Sequence, residues 1–180
     1  QRIQSELDIA RDIQMGMLPK SSDMESLDTL KLATYLMPAR EVGGDFYDYI
    51  EVKDDVYVVV GDVSGKGVSA AIFMAMTMML LKAKAQEHVS PQEIMGSVNN
   101  QLIALNENML FVTVFCAKIN RYTGEMRYVN AGHPRPLLKR KGEVLELPIT
   151  GGMALGVDPN HYYQESQMQL DSNDLLCIYT

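Results

Sequence analysis

Apolar residues recur along this chain with two different periods, and each change of period marks a boundary. Over residues 1–18, Ile3, Leu7, Ala10 and Met17 fall at alternating spacings of four and three, with Gln14 on the same stripe. Pro19 ends the run, which predicts one amphipathic helix. Its stripe either packs on the rest of the protein or continues a coiled coil from upstream. Residues 20–29 are polar and read as a loop. The period then drops to two: LKLATYLM (30–37), FYDYIEV (46–52) and the more continuously apolar VYVVVGD (56–62) read as strands. From Val68 to Gln86 it returns to helix, apolar almost all round, with Met74, Met76, Met78 and Met79 in one patch that serves as core filler or as an adaptable contact face. A second helix start is written in SPQE: Ser90 as N-cap, Pro91 in the first turn and Glu93 closing a capping box, ahead of Ile94, Val98, Leu102 and Leu105. The remainder alternates as strands do, in LFVTVFCAKI (110–119), EMRYVNA (125–131), PLLKR and EVLEL around the Lys141–Gly142 turn, YYQESQMQL (162–170) and DLLCIYT (174–180).

Two adjacent helices between groups of strands joined by short turns do not have the rhythm of a parallel sheet. The pattern predicts an α+β fold with antiparallel sheets layered against helices. Composition agrees with a single globular core, at 47% hydrophobic and 22% charged residues over 180 positions. A net charge of −7 repels a phosphate polymer, so nucleic acid is not an expected partner. The basic cluster Arg135, Lys139, Arg140 and Lys141 reads as a solvated hairpin tip or a docking patch. Cys116 and Cys177 sit in apolar runs without CxxC spacing, which predicts two buried thiols in a reducing, cytoplasmic setting. The apolar stretch from Val68 to Leu81 falls short of the ~18 residues a membrane span requires, so a buried helix is expected and no membrane contact within this chain. Both chain ends are read as cuts.

The candidate chemistry lies in two glycine-rich turns. VVVGDVSGKG (58–67) is a strand entering a turn and then a helix, as in a phosphate-binding loop. The spacing disagrees: three residues, not four, separate Gly61 from the Gly65–Lys66 pair, and Gly67 stands where the magnesium-binding serine or threonine belongs. Asp62 within the loop would face a polyphosphate unless a cation sat between them. The second turn, Gly43–Gly44–Asp45, places another carboxylate just before a strand. If the two strands are neighbours, Asp45 and Asp62 reach a pair of Mg²⁺ or Mn²⁺ ions, hard cations that take oxygen ligands. Each turn by itself also reads as plain turn chemistry, with aspartate capping N–H groups and glycine taking positive φ. No nucleophile motif surrounds either cysteine or any histidine. His133 and Asn130 in NAGHPRP read as orienting groups for their loop or as contacts with substrate or metal. Lys66 and Arg40 read as phosphate ligands or as solvated charges.

Taken together, ARDIQMGMLP (10–19), PAREVGGDFYD (38–48), GDVSGKGVSAAIFMA (61–75), NAGHPRPLL (130–138) and GGMALGV (151–157) resemble the SpoIIE/RsbU-type phosphatases of the metal-dependent serine/threonine phosphatase (PPM) superfamily, in the family's order. The resemblance implies an α-β-β-α sandwich, two antiparallel sheets face to face with helices outside and a two-metal cleft at one edge. It makes Asp62 the ligand shared by both ions, Asp45 a ligand of one and the Val63 backbone carbonyl a ligand of the other, with Gly43, Gly44, Gly61, Gly65 and Gly67 shaping the loops. It further implies a metal-activated water attacking phosphoserine, and a phosphorylated STAS-type anti-sigma-factor antagonist as substrate in bacterial partner switching. Residues 1–19 become a linker helix from an upstream sensor or receiver domain, with a homodimer expected, and 20–180 the phosphatase domain. The family's further metal aspartates fall after a strand that here closes on Thr180, so neither is named. Their absence from these residues keeps a second reading open, a catalytically silent binding module.

Overall fold

The computed structural model describes residues 2–20, 29–38, 41–148 and 151–180. Helix α1 (Arg2–Met17) precedes strands β1 (Asp45–Val52) and β2 (Asp55–Val63), then helices α2 (Val68–Gln86) and α3 (Pro91–Ala104). Six strands follow: β3 (Val112–Asn120), β4 (Glu125–Ala131), β5 (Leu137–Arg140), β6 (Glu143–Glu146), β7 (Ser166–Gln169) and β8 (Leu175–Cys177). They form two antiparallel sheets, one ordered β1-β2-β3-β4-β7 and one ordered β6-β5-β8.

The strand period of two divides the larger sheet into two differently covered faces. Phe46 and Ile50 of β1 with Tyr57, Val59 and Val63 of β2 pack under α2 and α3 in one core. Phe115, Ala117 and Ile119 of β3 with Met126 and Tyr128 of β4 face the smaller sheet, meeting Leu147, Leu176 and Ile178. Asp45 alternates with Phe46 and therefore belongs to the face between the sheets. Helix α2 sends Ala70, Phe73, Met74, Thr77, Met78, Leu81 and Ala85 inward, and the Thr77 hydroxyl donates to the Phe73 carbonyl at 2.8 Å. Met74 and Met78 are core filler, while Met79 is 60% exposed. At 19 residues α2 is, contrary to the count of its apolar run, long and apolar enough to cross a bilayer by length and composition; here it packs as a core helix. Ser90 caps α3 with the full capping box, and Ile94, Val98 and Leu102 are buried.

Several expectations change. Residues 30–37 form no strand: Leu30 and Leu36 are taken up by the two cores, but the backbone between them makes no bridge to β1 or β8. YYQESQMQL yields only the four residues of β7, because Tyr163 turns into the sheet–helix core instead. Leu105 lies beyond the last turn of α3 and is 60% exposed. Cys116 is buried, but Cys177 is exposed because β8 is an edge strand. In the basic cluster, Arg140 is no solvated charge, since it grips Asp174 through Nε at 3.0 Å and Nη2 at 2.5 Å. The helical stripe of α1 docks only partly. Ile3 is 75% exposed, whereas Gln14 and Leu18 are buried and Met15 packs on the core.

Candidate metal centre

The site begins with a hairpin register. β1 and β2 are joined by Lys53–Asp54, and Asp45 lies seven positions before the turn's first flanking residue, Val52, as Asp62 lies seven after Asp55, so the two aspartates stand directly opposite each other. Opposed residues share a face, and the carboxylates meet. Partial burial of Asp62, then the charge of Asp45 and a hydrogen bond shared with it, push the Asp62 carboxyl up to about 6. Two like charges in contact favour retaining a proton between them, and a divalent cation removes the same repulsion.

Two glycines are required here, Gly44 at the acidic corner and Gly61 on the opposite face of the hairpin. A Cβ on Gly44 would lie 2.8 Å from the Val63 carbonyl oxygen, so only glycine fits against that oxygen beside Asp45. A Cβ on Gly61 would run into the Phe46 ring and sit 3.0 Å from the Thr113 carbonyl. The Val63 N–H donates to the Gly44 carbonyl at 3.2 Å, joining the two turns. Gly65 and Gly67 take φ of 88° and 74° as the loop leads into α2, and Lys66 between them is exposed. The all-oxygen set of the Asp45 and Asp62 carboxylates and the Val63 carbonyl suits a hard cation. Among the described residues no third His, Cys, Asp or Glu joins them. Arg40 lies outside the described residues.

The neighbouring loops are held by side-chain amides, of which the sequence reading singled out Asn130 but not Gln14, Asn99 or Asn106 as loop-organising groups. Gln14 Nε2 donates to the Gly43 carbonyl at 2.6 Å and the Gly43 N–H donates to Gln14 Oε1 at 3.1 Å. A polar residue on the apolar stripe of α1 was its signal. Asn106 Oδ1 accepts from the Leu110 N–H at 2.8 Å, and the Phe111 N–H donates to Ser64 Oγ at 2.9 Å. Asn99 ties down the 151–158 loop, donating to the Asp158 carbonyl and accepting from the Gly156 N–H, both at 2.8 Å. Asn130, buried, closes its turn in both directions, donating to the His133 carbonyl at 2.9 Å and accepting from the His133 N–H at 2.7 Å. His133 is itself buried. A cavity of about 410 Å³ opens beside Asp45, between residues 31–36, β1 and residues 175–180.

A two-sheet sandwich backed by helices, with an acidic pair at one edge, is the fold of solved PP2C-type domains. The solved structures agree on the fold. The SiaA-PP2C domain of Pseudomonas aeruginosa superposes with a TM-score of 0.81 at 23% identity, over 97% of this chain and 70% of that one. RsbX in complex with magnesium gives 0.61 at 22% identity, over 76% and 65%. The profile of Stage II sporulation protein E (SpoIIE) matches residues 53–180, and the chain belongs to the SpoIIE family. Among curated relatives, Phosphoserine phosphatase RsbU of Bacillus subtilis (strain 168) is 24% identical over 181 residues, covering the whole of this chain and 53% of that protein. Protein IcfG of Synechocystis sp. (strain ATCC 27184 / PCC 6803 / Kazusa) is 30% identical over 204 residues, covering 97% and 32%. The chain thus spans about half the length of the first relative and a third of the second.

Proposed function

We propose that this domain hydrolyses phosphoserine or phosphothreonine in a protein, with two Mn²⁺ or Mg²⁺ ions held by Asp45, Asp62 and the Val63 carbonyl. The observation that carries this reading is the direct opposition of Asp45 and Asp62 beside the Val63 carbonyl, which any side chain at position 44 would crowd. Such ions, when bound, neutralise charge on a phosphoryl group and lower the pKa of a coordinated water. The chain's own part is to hold the two carboxylates on one face, keep the corner free of side chains and present Lys66 at the rim for the phosphoryl oxygens. The name of RsbU and the magnesium bound to RsbX support the reaction class and the metal.

A phosphorylated STAS-type antagonist is the proposed substrate, in keeping with the RsbU relative. For residues 1–19 the proposed role is a linker to an upstream sensor or receiver domain, supported by the grip of Gln14 on Gly43. A second copy is the proposed occupant of the outer faces of α1 and α2, where Ile9, Ile13, Val68, Ile72 and Met79 are exposed at helical spacings. Two unpaired cysteines support a reducing compartment.

The test is manganese-dependent phosphate release from a phosphoserine protein, with Asp45→Asn and Asp62→Asn alongside. Each substitution is expected to lower the rate by about 100-fold or more, removing one ion's worth of charge stabilisation. Undiminished rates in both would sink the mechanism. The alternative reading is a catalytically silent binding module. Under that reading the phosphoprotein binds and no phosphate is released.

A further inference from the structure

Thr113 stands opposite Asp62 on β3 as Asp45 does on β1, so its hydroxyl shares a face with both carboxylates. That hydroxyl lies 3.0 Å from His133 Nδ1 and 3.4 Å from the Asp62 backbone carbonyl oxygen. The His133 residue is 4% exposed, and its Nε2 is buried without a hydrogen-bond partner. Asn130 fixes the His133 backbone independently, so the side chain is anchored at its root by Asn130 and at Nδ1 by Thr113.

Proton counting selects one arrangement. A neutral imidazole has one N–H and a hydroxyl has one proton. With the imidazole proton on Nε2, that buried N–H makes no well-formed hydrogen bond, the Tyr179 backbone offering at best a long one, and Thr113 serves only one of its two neighbouring acceptors. With the proton on Nδ1, the ring donates to Thr113 Oγ1 and the hydroxyl donates onward to the Asp62 carbonyl. What remains is a bare acceptor lone pair, less costly to leave unmet than a buried donor. Burial favours the neutral ring, outweighing the Tyr179 backbone, the Asp45 charge and the Thr113 backbone, which favour protonation.

We infer that His133 is a positioning residue for the metal loop: as its Nδ1–H tautomer it aims the Thr113 hydroxyl at the Asp62 carbonyl and fixes the end of β2 that carries Asp62 and Val63. This rests on the metal-centre reading above. Outer partners that orient a metal ligand typically change metal affinity by about 10–100-fold when removed.

The test has two arms. Nitrogen chemical shifts of the His133 ring in the metal-free protein are expected to show Nδ1 protonated; an Nε2–H ring overturns the inference. Manganese titrations, followed by paramagnetic broadening of the Val63 and Ser64 amide signals, compare Thr113→Val, Thr113→Ser, His133→Asn and His133→Gln. Thr113→Val and His133→Gln, whose amide replaces only the Nε2 end, should weaken binding about tenfold or more. Thr113→Ser and His133→Asn, whose amide nitrogen replaces Nδ1, should recover it, and the double variant Thr113→Val/His133→Gln should lose no more than the worse single. Wild-type affinity in Thr113→Val, or additive losses, overturns the inference. A wild-type chain that shows no manganese broadening at Val63 overturns the metal-centre reading instead, and the tautomer and the Asp62–Val63 amide shifts of metal-free Thr113→Val then decide this one. If the His133 variants fail to fold, the Thr113 pair and the wild-type tautomer decide alone.

Discussion

The Gln14 side-chain amide holds both backbone groups of Gly43, two residues before Asp45. A helix outside the sandwich is thereby fastened to the turn that presents a candidate metal ligand. Gln14→Ala should lower manganese affinity by about tenfold, as loss of an outer partner does. Calorimetric titration of the two proteins measures it. Affinity equal to wild type would reduce the clasp to packing.

Asp62→Asn should stabilise the metal-free protein at pH 7. The folded-state pKa of Asp62 is raised from 3.8 to about 6, so the folded state holds its proton more tightly than the unfolded chain. Stability of the metal-free fold therefore falls as pH rises from about 4 through about 6. Solvent screening at this exposed rim leaves an effect on the order of 1 kcal/mol. Urea unfolding should show the variant matching wild type at pH 4 and exceeding it at pH 7, with saturating Mn²⁺ reversing the order.

Gly44→Ala and Gly61→Ala separate site from scaffold. The alanine at position 44 covers the Val63 oxygen and should reduce metal affinity more than stability. The alanine at position 61 meets the Phe46 ring and the Thr113 carbonyl and should cost about 1–3 kcal/mol, as overpacking does. Parallel thermal melts and manganese titrations distinguish them.

The far end of the hairpin should affect stability alone. Burial pushes the Asp55 carboxyl up, but hydrogen bonds from His88, Lys118 and Asn120 outweigh it and hold the group below 3.8. Its contribution is present above that value and lost as pH falls through the folded-state pKa. Asp55→Asn should cost about 1–3 kcal/mol at neutral pH, the range for a hydrogen-bonded charge, and leave manganese-dependent hydrolysis unchanged. A fall in rate without a fall in stability would contradict this.

The elements whose patterns are local were legible in the sequence. α2 begins and ends at Val68 and Gln86, and Ser90 with Glu93 makes the capping box that SPQE spells, because caps and periods are set within a few residues. LKLATYLM misled because alternation reports which side chains find apolar partners, not whether a neighbouring backbone lies at bonding distance. Cys177 misled because exposure of an edge strand depends on what lies beside the sheet.

From the sequence alone came two glycine–aspartate turns, the helices behind them and the family to which they belong. Even the opposition of Asp45 and Asp62 was latent there, since a two-residue turn at Lys53–Asp54 pairs positions equally distant from it. Only the tertiary structure decided that Gln14 reaches Gly43, that Thr113 meets His133, and that Asn99 and Asn106 hold the loops around the site. The physical reason is range. A cap or a turn is fixed by neighbours along the chain, whereas a buried amide finds its partner through packing of segments that the sequence keeps far apart.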